Sequence, residues 1–78
     1  MSLADADARL RLVDLMVANG DGVLASGVLR DGIDDPDPDP RLVTRLAAML
    51  RRGGRGDDAK SVVSDFVRDH PFARRPAA

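Results

Sequence analysis

Apolar residues recur along this chain at three- and four-residue spacing, and clusters of glycine or proline interrupt them at 19–22, 34–40 and 53–56. Ser2 is a good N-cap with Asp5 three residues on, an approximate capping box that predicts a helix over residues 3–18. Leu3, Ala6, Leu10, Val13 and Val17 share one stripe of it, and Leu12, Leu15 and Met16 fall largely on the other side. A helix apolar nearly all round is either central to its bundle or covered by another chain. Asn19-Gly20-Asp21-Gly22 ends it, because Gly and Asn take the positive-φ positions of tight turns. Residues 23–31 carry Ser26 and Gly27 and allow either a short helix or an extended piece leading into one; the helix is favoured.

Asp34-Asp35-Pro36-Asp37-Pro38-Asp39-Pro40 cannot be helix interior or central strand, since each proline lacks an N–H and biases the preceding residue away from helix. With proline at every second position from 36 to 40 this spacer is expected to favour polyproline II. Asp39 then suits an N-cap and Pro40 a first helical residue. The helix over 40–52 is amphipathic, with Leu42, Val43, Leu46, Ala47, Met49 and Leu50 on one side and Arg41, Arg45 and Arg52 on the other. Gly53-Gly54-Arg55-Gly56 ends it. Asp57 or Asp58 is expected to cap a last helix to about 69, with Ala59, Val62, Val63, Phe66 and Val67 as its apolar face. The predicted fold is all-α: a small bundle of about four short helices in two helix–loop–helix halves, 2–33 and 39–70, joined by an Asp-Pro linker at 34–38. Residues 1–72 form the single domain and 73–78 a loose tail.

Composition supports this plan. Only Phe66 and Phe72 are aromatic, so Leu, Val, Met and Ala must build the core, which suits helices better than a β-sandwich. A chain this small buries only roughly 60% of its unfolded surface. With no cysteine, neither a disulfide nor a thiolate metal site can brace it. Good helix packing or a partner surface must do so instead. All thirteen acidic residues are Asp, which fits short capped helices. Arginine outnumbers lysine eleven to one, in line with a GC-rich, bacterial coding bias. The N-terminus lacks the charge and apolar run of a signal peptide, and no stretch approaches the length of a membrane span, so no membrane association and a cytoplasmic location are expected.

Asn19-Gly20-Asp21-Gly22-Val23-Leu24 resembles the middle of an EF-hand calcium loop. With Gly22 as the invariant loop glycine, Asn19 and Asp21 stand at ligand positions, Val23 would offer its carbonyl, and Leu24 matches an apolar position. A second loop centred on Gly56 begins at Arg51, thirty-four residues after Val17, a spacing similar to that of a calmodulin-type pair. The resemblance implies two helix–loop–helix halves with degenerate calcium sites. Val17 stands where the first carboxylate belongs and Val28 where the bidentate Glu belongs, while Arg51, Gly53 and Arg55 occupy ligand positions in the second loop. Tight calcium binding is therefore not expected.

The remaining clusters offer little chemistry. Side chains two apart diverge in polyproline II, so Asp35, Asp37 and Asp39 would not converge on one ion. His70, the single histidine, suits a helix C-terminus, and Ser64, Asp65 and His70 on one helix do not point to one spot. The 53–56 glycines lack the Lys-Ser/Thr of a phosphate loop. No catalytic residue, metal site or cofactor is expected. Net charge is −1, yet the five arginines between 41 and 55 face no anion in that stretch, and residues 11–33 look like the opening of a helix-turn-helix. The short second helix has almost no donors for base edges. The expected function is thus a non-enzymatic protein–protein interaction module, with Leu12, Leu15, Met16, Arg41, Arg45 and Arg52 as candidate partner-binding residues and a protein partner or a second copy as the ligand. A small helix-turn-helix-like nucleic-acid-binding regulator using the arginines is one alternative, and an EF-hand-like protein with weak or no calcium binding is the other.

Overall fold

A computed structural model of the chain describes residues 5–71. Four helices make up the fold: α1 (Ala6–Ala18), α2 (Gly22–Ile33), α3 (Pro40–Arg52) and α4 (Gly56–Asp69), with no strand among the described residues. The all-α class and the four-helix plan hold, and residues 23–31 are helical throughout.

The helix starts depart from expectation in two places. Asp5 is the N-cap of α1, its Oδ1 accepting from the Asp7 N–H at 3.0 Å. Asp5 itself has extended backbone (φ −74°, ψ 124°), so it lies outside the helix instead of in its first turn. The proposed Ser2 cap falls outside the described residues. At α4 the residue preceding the helix is Arg55, and Asp57 and Asp58 sit within the first turn, where their charge meets the positive end of the helix dipole. Asp39 caps α3 as expected, accepting from the Arg41 N–H at 2.9 Å, with Pro40 beginning the helix.

The spacer before α3 does not run as a straight rod. Asp35 Oδ1 accepts from the Asp37 N–H at 3.0 Å, the chain bends through 35–37, and Pro38 is buried. A local side chain-to-backbone bond of this kind competes with the extended form that proline alone would favour.

The two halves repeat one another at a spacing of 34 residues. Asp5 and Asp39 cap with nearly the same dihedrals, (−74°, 124°) and (−74°, 125°). Among the described residues Gly20 and Gly54 are the two with positive φ, at 82° and 77°. After each, the chain closes with the same pair of bonds: Gly20 N–H to Val17 C=O and Asp21 N–H to Met16 C=O, then Gly54 N–H to Arg51 C=O and Arg55 N–H to Leu50 C=O. This is the Schellman pattern, which requires a left-handed residue and so selects glycine at both sites. Ala25 and Ala59, the next equivalent pair, are both fully buried.

Packing follows chain order. Helix α1 packs on α2, α2 on α3 and α3 on α4; α1 touches α3 lightly, and α4 meets neither α1 nor α2. Helix α3 is therefore central and buries Leu42, Val43, Leu46, Ala47 and Leu50, whereas α1 buries only Ala8 and Val13 and α4 only Ala59 and Phe66. The apolar circumference of α1 does not mark a central helix; α1 lies at the edge. The array measures 35 × 32 × 17 Å, and among the described residues no element beyond these four helices covers the outer ones.

Candidate interaction surface

The outer helices leave apolar side chains in water. On α1, Leu15 is 64% exposed and Leu12 is half-buried. Met16 is half-buried and packs against the core that Val13, Leu29 and Leu46 help to form. On α2, Val23 and Leu24, in the first turn, are 88% and 60% exposed. They line a shallow concavity of about 500 Å³ with Met49, Leu50, Gly53 and Arg55, where the two glycine turns adjoin. Sequence reasoning named Val23 and Leu24 only as positions of the EF-hand-like loop, not as candidate partner-binding residues. Their position in the first turn after a glycine turn was the available signal, since a first turn lies at the end of a helix.

A second concavity, about 450 Å³, lies between the C-terminal turns of α2 and α4. Leu46, Ile33 and Phe66 supply apolar lining, and Asp34, Asp65 and Asp69 supply acidic groups. Phe66 is buried and its ring centre lies 5.1 Å from that of His70, which fixes His70 against the end of α4. Among the described residues no group of three or more His, Cys, Asp or Glu is arranged to hold a metal ion.

The three candidate arginines differ in their surroundings. Arg41 Nη1 lies 2.7 Å from Asp7 Oδ1 and Nη2 2.9 Å from Asp39 Oδ2. Hydrogen bonds to Asp39, then to Asp7, push the Arg41 pKa further up, so its charge is fixed. Arg45 Nη2 lies 3.1 Å from Asp14 Oδ1, and its Nε is buried with no hydrogen-bond partner. Asp7 and Asp14 are seven residues apart on α1, two helical turns, so one face of α1 meets both arginines of α3. Arg52 and its neighbour Arg51 are exposed in the last turn of α3, where cations complement the helix dipole. A stripe that reads in sequence as one cationic face is thus divided, with two members tied to α1 and the third at the solvent-exposed end.

The chain matches no protein-family model, no curated protein and no solved structure. Among the described residues no helix is long and apolar enough to cross a membrane.

Proposed function

We propose that this chain is a non-enzymatic protein–protein interaction module, an adaptor, accessory subunit or self-associating domain whose apolar helix faces are completed by a partner. One observation carries the reading: Leu15, Val23 and Leu24 are each at least 60% exposed in a domain whose core is built from few large side chains. Fully burying a Leu or Val is worth about 1.5–3 kcal/mol. Covering three of them supplies an appreciable driving force for association, beside the cost of fixing two molecules together. The arginine geometry favours a protein ligand over nucleic acid, because Arg41 and Arg45 already pair with Asp7, Asp39 and Asp14.

The test is the mass of the chain in native extracts, by size exclusion with mass detection. The expected result is an assembly above the 8.3 kDa of one chain, lost on Leu15→Lys or Leu24→Asp. A mass of one chain at native concentration overturns the reading.

A further inference from the structure

Little holds the bend in the spacer between the two helix pairs. The Asp37 N–H donates to Asp35 Oδ1 at 3.0 Å, and the Asp35 N–H to the Gly32 carbonyl at 3.4 Å. Residues 34–37 are all exposed. The opposing pull on residues 34–39 is toward extension. Pro36, Pro38 and Pro40 bias Asp35, Asp37 and Asp39 to extended backbone. Four aspartates stand among these six residues with no cation in the spacer itself, and like charges lengthen a linker. Asp39 already has extended backbone (ψ 125°), so the cap of α3 survives a straight spacer unchanged. Straightening gives up the two bonds at 35–37 and the burial of Pro38. Six residues in polyproline II span about 19 Å, whereas packed helices lie about 8–10 Å apart. A straight spacer therefore holds the start of α3 away from the end of α2 and parts the shared core of Val13, Leu29, Leu42 and Leu46.

We propose that this spacer is a hinge and that two copies of the chain exchange halves across it, α3–α4 of each packing on α1–α2 of the other. The occupant is argued from the interface itself. Each half of a straightened chain lacks the surface its own other half supplied, and a second straightened copy presents that surface in full. Asp7 and Asp14 then pair with Arg41 and Arg45 between chains as they do within one. Exchange of identical elements is a low-cost route to a closed two-chain assembly, because its main interface is one the single chain already makes. The proposal does not rest on the interaction-module reading above, since Leu15, Val23 and Leu24 lie outside the exchanged core.

Sedimentation velocity on spacer variants tests it. The unmodified chain is expected to show a two-chain species at high concentration. Pro36→Ala, at an exposed site, relaxes the bias to extension and should lower the share of that species about threefold. Asp35→Glu keeps the charge but misplaces the carboxylate that holds the bend, and should raise it about threefold. The decisive measurement is a mixture. Asp14→Arg and Arg45→Asp each set like charges together when a chain packs on itself or on its own kind, and exchange between the two variants restores both pairs. With a mass tag on one chain, the mixed two-chain species should exceed either like-chain species about tenfold. Circular dichroism checks folding; should Arg45→Asp lose helicity, the exposed pair Asp7→Arg and Arg41→Asp replaces it. A mixed species at no more than its statistical share, a two-chain species indifferent to the spacer variants, or a chain monomeric to millimolar concentration overturns the exchange. So does a two-chain species that Leu15→Lys dissolves, an outcome that leaves the interaction-module reading standing. An exchanged dimer that Leu15→Lys and Leu24→Asp leave intact, with no other chain bound in native extracts, supports the hinge and removes that reading.

Discussion

At Gly32 an added methyl group would come within 2.6 Å of Leu42 Cδ1 and 2.7 Å of Arg9 Cδ. Neither neighbour is able to yield easily. Leu42 is 2% exposed, and Arg9 is pinned by Nη1 donating to the Val28 carbonyl at 2.7 Å. Gly32→Ala should therefore destabilise the fold by about 1–2 kcal/mol, an overpacking cost partly offset by the better helix propensity of alanine. Gly27, five residues earlier in the same helix, has nothing within 4 Å of an added Cβ. Gly27→Ala should stabilise by about 0.5–1 kcal/mol. Urea midpoints of the two variants should move in opposite directions; movement in the same direction would remove the close approach of α1, α2 and α3 at Gly32 as the explanation. The sequence reading marked Gly27 as a weak point in a helix and passed over Gly32, which lies beyond the 23–31 segment. What separates the two is the approach of Leu42 and Arg9 to α2, which depends on residues 10 and 23 positions from Gly32.

Between elements, the α1–α3 ion pairs differ in what they contribute. Arg41 is a surface bridge between Asp7 and Asp39, so Arg41→Gln should give a small loss that vanishes in 0.5 M salt. Its pKa is raised in the folded state, so its contribution is fully present below the ordinary guanidinium value and is lost only as pH rises above it. Stability measured between pH 6 and 9 should therefore show no slope from this group. Arg45 is different. Its Nε is buried without a partner, while Asp14 is well exposed and can return to water. Arg45→Met keeps the aliphatic stem and removes the orphaned donor, so it should lie within about 0.5 kcal/mol of the parent, whereas Arg45→Ala should cost about 1–2 kcal/mol through lost packing. Equal losses in thermal melts of the two variants would make the charge, not the stem, the stabilising part. The helices themselves were largely legible. The 3,4-spacing of Leu42, Val43, Leu46 and Leu50, the Asp39-Pro40 start and the glycine stops are local signals, and local forces decide them. The bend at 35–37 was not, because an Asp35 side-chain bond outcompetes what the prolines prefer. Nor was the division of the arginines, because Asp7 and Asp14 reach them only once α1 is folded beside α3.

Across the whole molecule, chain-order packing makes protection uneven. Helix α3 is held by three neighbours and α4 by α3 alone, so amides of α4 should exchange with solvent faster than those of α3 in dilute solution. Leu46→Ala, at a site 1% exposed on the central helix, should cost about 2–5 kcal/mol and release both halves together, since α2 and α4 share α3 as support. A domain of this length is stabilised by only about 4–12 kcal/mol in total. Cover of Leu15, Val23 and Leu24 by a partner or a second copy adds a demand that neither helix propensity nor monomer packing makes. Those residues lie in the last turns of α1 and the first turn of α2, so association must slow amide exchange there and leave the central α3 unchanged. Hydrogen exchange that compares the chain in its native assembly with the isolated chain checks this, and protection that spares both segments would remove these three residues as the associating surface.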